Sequence, residues 1–221
     1  MGRDIAFETA AGNVSGWRAE PMGAPRGGLV VVQEIFGVNA HIRSVADQYA
    51  AEGFVAIAPA YFDPVQRGVE LGYDQDGLAK GRELTSELGL ERAVSITAAA
   101  AGILQGEGLK VGVVGFCWGG TVALLGNTRI GLPAVSYYGA RNTQFLDEPL
   151  RAPMQFHFGD HDASIGASDI ALHRQKHPDA EVYVYPTGHA FNRDVDPKVF
   201  DAASARQAHT RALALLDAAL R

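Results

Sequence analysis

The chain has 221 residues, 47% hydrophobic and 20% charged, a length suited to one α/β domain that buries about 70% of its unfolded surface. A formal net charge of −6, with no block of lysine or arginine, argues against a nucleic-acid binder driven by phosphate contacts and means that an acidic substrate has to be met by local arginines. The stretch Met1 to Glu8 has no long apolar segment, Ala6 stands where a myristoylation signal needs serine or threonine, and no run approaches the roughly 18 apolar residues of a membrane span, so the chain is expected to be soluble and cytoplasmic.

Asp4 to Glu8 and Val14 to Ala19 alternate on either side of Ala11-Gly12-Asn13 and are expected to pair as a hairpin. Beyond a proline- and glycine-rich connection, Leu29 to Gln33 is a largely β-branched run of the kind covered on both faces, and it leads into Glu34-Ile-Phe-Gly-Val-Asn39. A helix is expected over Ala40 to Ala51, with Ile42, Val45, Ala46 and Tyr49 on one face and Gly53 as its stop; Phe54 to Ala58 is the next buried strand. A right-handed crossover of this unit leaves Glu34 at the carboxyl end of a strand, where open α/β sheets bind ligands. Tyr61 to Tyr73 carries Pro64, Gly68 and Gly72 and is expected to be a long surface loop. Helices are expected from near Asp76 through Leu88, carrying Lys80 and Arg82, and from about Leu90 to Leu104.

Val111 to Phe116 is another apolar strand, and it runs into Gly115-Phe-Cys-Trp-Gly-Gly120 before a helix of small residues. This has the form of the nucleophile elbow G-x-S-x-G, with Cys117 in place of serine; glycine on both sides admits the tight turn and the close approach of helix to strand. Cys117 is the only cysteine, so neither an internal disulfide nor a multi-thiolate metal site accounts for it. Pro133 to Tyr138 and Pro153 to Phe158 read as strands, followed by a helix over Ala167 to His177, a strand over Glu181 to Tyr185, and a helix from Asp196 to Leu220 that buries Val199, Ala203, Ala212, Leu213, Leu216 and Leu220. The alternation predicts a single domain over 1–221 with a doubly wound, mostly parallel sheet flanked by helices.

Two segments after the elbow carry the remaining chemistry: Gly159-Asp-His-Asp162 and Gly188-His-Ala-Phe-Asn-Arg193, each beyond a strand. Nucleophile, acid and histidine in that order is the order of an α/β-hydrolase triad, which selects Cys117, Asp162 and His189 with Asp160 as the rival acid. Here the thiolate attacks, His189 carries the proton and Asp162 sets its tautomer. His157, Asp160, His161 and Asp162 also crowd together as potential metal ligands. Strand alternation around His157 and the lack of an H-E-x-x-H helix argue against a metal site, and none is expected.

Gln33-Glu-Ile-Phe-Gly-Val-Asn39, the cysteine elbow, Tyr137-Tyr-Gly139, Asp162 and Gly188-His189 together resemble the dienelactone hydrolase, or carboxymethylenebutenolidase, family from about Leu29 to the carboxyl terminus. The resemblance implies an α/β-hydrolase fold, a Cys-His-Asp triad, and a role for Glu34 in holding and activating the thiol. It implies an oxyanion hole from the Ile35 and Trp118 amides, substrate contacts from Phe36, Arg193 and the region of Lys80 and Arg82 (Arg82 being the assignment), and no metal or organic cofactor. Glu34 follows five apolar or amide residues, which favours burial and with it a raised carboxyl pKa suited to accepting a proton. Two positions depart from the family pattern: Ala190 stands where serine commonly follows the histidine, and Gly166 where proline commonly closes the acid loop. The expected activity is hydrolysis of a small lactone or ester, first dienelactone to maleylacetate in aromatic compound degradation. The alternatives are another ester substrate, a non-catalytic ligand sensor of the same fold, or a metal-dependent hydrolase. A small molecule is the only partner expected, and a monomer is compatible with the sequence.

Overall fold

The computed structural model describes residues 2–220, so Met1 and Arg221, the two ends of the expected 1–221 domain, lie outside the described residues. Its contacts gather into two units, one running from the amino terminus to Gly112 and taking in Leu220, the other spanning Val113–Ala219.

In the first unit β1 (Arg3–Thr9) and β2 (Gly12–Ala19) form the expected antiparallel hairpin, closed by Gly12 at φ 111°. β3 (Gly27–Val32) and β4 (Phe54–Pro59) run parallel, in the order β1-β2-β4-β3. Leu29, Val30, Val31 and Val32 are all completely buried, and each such side chain contributes about 1.5–3 kcal/mol relative to exposure. The crossover helix α1 (Ala40–Ala51) starts where Asn39 accepts the Ile42 N–H at 3.2 Å, a side-chain cap that satisfies one of the orphan donors of the first turn. Its buried face is the predicted one, Ile42, Val45, Ala46 and Tyr49. α2 (Gln75–Leu88) is capped in the same way by Asp74, and α3 (Leu90–Gly106) follows.

The segment from Tyr61 to Tyr73 differs from expectation, because it is a loop in path only. Tyr61, Phe62, Asp63 and Val69 are buried. Tyr61 shares a hydrogen bond with the Thr97 hydroxyl at 2.8 Å, and the Asp63 carboxylate accepts the Ser15 N–H at 2.8 Å and hydroxyl at 2.6 Å. These anchors outweigh the proline and glycine signals that suggested an exposed excursion.

The strands β5 (Val111–Phe116), which the second unit takes up at Val113, β6 (Ala134–Tyr137), β7 (Met154–Gly159) and β8 (Glu181–Tyr185) follow in that order, all parallel. α4 (Trp118–Leu125) leaves the elbow and continues into a π-turn over Gly126–Ile130. There the buried Asn127 amide donates to the Leu132 and Ala152 carbonyls at 3.0 and 2.9 Å and its oxygen accepts the Arg151 N–H at 3.1 Å, joining the entries of β6 and β7. α5 (Ala167–Lys176) connects β7 to β8. The final helix, α6 (Ala202–Leu220), begins six residues later than Asp196. Pro197 disfavours a helical Asp196, and Asp201 supplies a cap by accepting the Ser204 N–H at 2.7 Å. The buried stripe shifts accordingly to Ala205, Ala208, Ala212, Leu215, Leu216 and Leu220, while Ala203 is exposed and Val199 and Leu213 are half-buried.

Candidate active site

Cys117 sits between the last residue of β5 and the first of α4 with φ 56° and ψ −118°. A side-chain-bearing residue held there costs on the order of 1–3 kcal/mol and persists only where its surroundings fix it. Here the Cys117 N–H donates to the Tyr137 carbonyl at 3.0 Å and its carbonyl accepts the Gly120 N–H at 2.9 Å. A Cβ at Gly115 would overlap the Gly119 carbonyl, so the glycine spacing is a steric requirement of the turn. Cys117 is partly exposed, while Trp118 is buried and opens α4, so its amide lies in the first turn of that helix.

The acid and histidine loops are laced to one another by backbone hydrogen bonds: the Asp160 N–H donates to the Tyr185 carbonyl at 2.9 Å and the His161 N–H to the Thr187 carbonyl at 3.0 Å. Asp162, with its side chain fully buried, accepts the Ser164 N–H at 2.8 Å on one oxygen and faces His189 Nδ1 at 2.6 Å with the other. Asp160 is half exposed and lies 3.5 Å from the exposed His161, so Asp162 is the acid that meets the imidazole. His189 is hydrogen-bonded to Cys117 as well. Burial disfavours its charged form, but the negative charge of Cys117 and the hydrogen bonds to Asp162 and Cys117 outweigh it and push the imidazole up to about 10.

Besides Cys117, the non-glycine residues with positive φ among those described are Tyr138 and Ala190, and both adjoin His189. The Tyr138 ring lies 5.0 Å from the imidazole of His189, and Phe191 packs edge-on to Tyr138 at 5.3 Å. Sequence reading singled out Tyr137-Tyr-Gly139 without assigning it work; the aromatic wall behind His189 is that work. Ala190, where the family commonly has serine, is buried at φ 62°. Gly166 has an ordinary φ of −78°, and its N–H donates to Asp169 at 2.9 Å, a bond that proline could not make.

His157 is directed elsewhere. The Tyr185 hydroxyl receives a hydrogen bond from Arg211 at 3.1 Å and gives its own proton to His157 Nδ1 at 2.8 Å, leaving Nε2–H for the Gln155 oxygen at 2.7 Å. Burial, reinforced by the charge of Arg211, pushes His157 down to about 3, so it is neutral. Among the described residues no group of three or more His, Cys, Asp or Glu side chains is arranged to hold a metal ion.

In the first unit Glu34 is buried at the end of β3, next to Gln33, whose amide donates to the Glu34 carbonyl at 3.2 Å and accepts the Tyr61 N–H at 3.3 Å. Ile35 and Phe36 are buried too, Phe36 edge-on to Tyr73 at 4.7 Å. α2 presses close to this loop, since a Cβ at Gly81 would overlap the Ile35 carbonyl. The next residue, Arg82, is exposed, and Lys80 is tied to Glu83 at 2.7 Å. In the second unit Arg193 is buried and pairs with Asp196 at 3.4 Å, a partner that sequence reading missed.

A strand-to-helix elbow, loops after later strands that bring a carboxylate to a histidine, and a mostly parallel sheet interleaved with helices define an α/β hydrolase with a doubly wound sheet. A sequence profile of the dienelactone hydrolase family matches residues 14–220. The chain belongs to that family of carboxylic ester hydrolases. It is 41% identical over 136 residues to a protein of Synechocystis sp. named "Putative carboxymethylenebutenolidase", a match covering 58% of this chain and only 54% of that relative. A protein of the same name from Yersinia pestis is 35% identical over 210 residues, covering 84% of this chain and 75% of the other. A crystal structure of a "Putative Dienelactone Hydrolase" from Klebsiella pneumoniae superposes with a TM-score of 0.80 at 30% identity, over 96% of this chain and 98% of that one. No helix among the described residues is long and apolar enough to cross a membrane.

Proposed function

We propose that this chain is a cysteine-dependent hydrolase of a small lactone or ester, with dienelactone, 4-carboxymethylenebut-2-en-4-olide, as the first substrate and maleylacetate as its product. The observation that carries the reading is the imidazole of His189, held by Asp162 at 2.6 Å and hydrogen-bonded to Cys117. The name carried by the relatives supports the choice of lactone.

In the proposed reaction the Cys117 thiolate adds to the lactone carbonyl, and the oxyanion is met by the Ile35 and Trp118 amides. Collapse of the adduct breaks the ring C–O bond, and the leaving oxygen takes the proton from His189, leaving an acyl-thioester. His189 then removes a proton from water, the hydroxide displaces the thiolate, and the carboxylic acid departs. Glu34 takes part in activating the thiol, and Phe36 forms part of the substrate wall. Arg193 captures the carboxylate of the substrate with its planar fork; it is the stronger of the two candidate anchors because water competes for the exposed Arg82. No metal or organic cofactor enters the scheme. A working thiolate is preserved in a reducing compartment, which favours the cytoplasm.

The test is turnover of dienelactone, followed by loss of its absorbance, alongside 4-nitrophenyl acetate. Hydrolysis of both by the native protein and of neither by a folded Cys117→Ala variant is the expected result. Tight binding of the lactone without turnover would make the protein a ligand sensor, and full activity in Cys117→Ala would refute the cysteine mechanism.

A further inference from the structure

Arg193 shares its loop with a carboxylate. Residues 190–201 are wound into successive turns: the Arg193 N–H donates to the Ala190 carbonyl at 2.9 Å and the Asp196 N–H to the Arg193 carbonyl at 3.1 Å. The Asp196 carbonyl in turn accepts from Val199 at 3.2 Å and Phe200 at 3.0 Å. The backbone of Asp196 is thus fixed on both sides. Its side chain is fixed as well, because Oδ1 accepts the Lys198 N–H at 3.2 Å while Oδ2 faces Arg193 Nη1 at 3.4 Å. Both side chains are largely withdrawn from water, 9% exposed for Arg193 and 17% for Asp196, so solvent screens the pair less than a surface ion pair.

The contact is nonetheless a poor ion pair. It is long, at 3.4 Å, whereas a matched arginine–carboxylate pair is bidentate at about 2.7–2.9 Å. Asp196 therefore subtracts from the charge that Arg193 presents without meeting the geometry a substrate carboxylate could meet. In a chain with a net charge of −6 no long-range field makes up that loss.

We propose that Asp196 is a specificity-determining residue, a built-in counter-charge that moderates the hold of Arg193 on an anionic substrate and so sets the preference for carboxylate-bearing lactones over neutral esters. This rests on the carboxylate-capture reading of Arg193.

Asp196→Asn keeps an oxygen for the Lys198 N–H and removes the charge. With dienelactone and 4-nitrophenyl acetate assayed on one enzyme preparation, the ratio of kcat/KM for the charged over the neutral substrate should rise about 3- to 10-fold, mainly through a lower KM for the lactone. Taking the ratio cancels the amount of active protein, so partial misfolding does not imitate the effect. An unchanged ratio overturns the proposal, and so does a fall, which would show that Asp196 orients the guanidinium instead. Arg193→Ala in the same assay separates the two readings. A ratio that collapses in Arg193→Ala but fails to rise in Asp196→Asn defeats the Asp196 proposal alone. A ratio unmoved by Arg193→Ala defeats carboxylate capture, and the Asp196 proposal with it.

Discussion

Asp162 Oδ2 lies 2.6 Å from His189 Nδ1, and the other oxygen of the same carboxylate is held by the Ser164 N–H at 2.8 Å. The second bond locks the carboxylate in one rotamer, so the acid loop positions the imidazole and also determines which nitrogen is left for Cys117. Removing the charge while keeping the shape should therefore damage catalysis through the tautomer and the lost stabilisation of the imidazolium. Asp162→Asn is expected to lower kcat by about 10²–10⁴-fold on a chromogenic ester. Asp160→Asn, at an exposed position whose neighbour is His161, should stay within about twofold of the native enzyme. The reverse ranking would move the acid to Asp160.

The protonation of His189 links the site to stability. Its pKa rises from 6.5 in the unfolded chain to about 10 in the fold, so the native state holds the proton more tightly. The resulting stabilisation is fully present below about pH 6.5 and is lost as the pH climbs toward 10. In Cys117→Ala two of the interactions that raise the pKa, the charge and the hydrogen bond of the sulfur, are gone, while burial continues to lower it. Urea unfolding midpoints between pH 6.5 and 10 should fall more steeply for the native protein than for Cys117→Ala, and the NMR titration of His189 should move to lower pH in the variant. Superimposable pH profiles would contradict the pairing of Cys117 with His189.

Tyr185→Phe tests the buried hydrogen-bond network around His157. The change removes the donor to His157 Nδ1 and the acceptor of Arg211, leaving a fully buried ring nitrogen unsatisfied. The expected cost is about 1–3 kcal/mol in urea denaturation, with the fold retained. A loss below about 0.5 kcal/mol would show that the network is not a determinant of stability.

Where local rules and tertiary packing agree, the sequence was sufficient. The crossover helix was placed at Ala40–Ala51 because the apolar positions recur on one face and Gly53 stops it, and the elbow was legible because its glycine spacing is a steric necessity. The meeting of Asp162 with His189 followed from chain order and strand ends. What escaped depends on contacts made by residues distant in sequence. Burial of Tyr61 needs Thr97, the anchoring of Asp63 needs Ser15, and the destination of His157 needs Tyr185 and Arg211. Strand alternation set His157 apart from Asp160, His161 and Asp162, but a linear reading could not name Tyr185 and Gln155 as the partners of its ring. The late start of α6 and the pairing of Arg193 with Asp196 share one cause, a chain of turns through Pro197 that helical periodicity does not register.

Stoichiometric alkylation tests the identity of the nucleophile most directly. Iodoacetamide can mark only one thiol in this chain, so intact mass and residual activity can be followed in the same sample. Activity against 4-nitrophenyl acetate should fall in proportion to the fraction of protein carrying one carboxamidomethyl group, with the group mapped to Cys117 and its addition slowed by the lactone. Protein that is fully alkylated at Cys117 and hydrolyses the ester at its original rate would contradict the account.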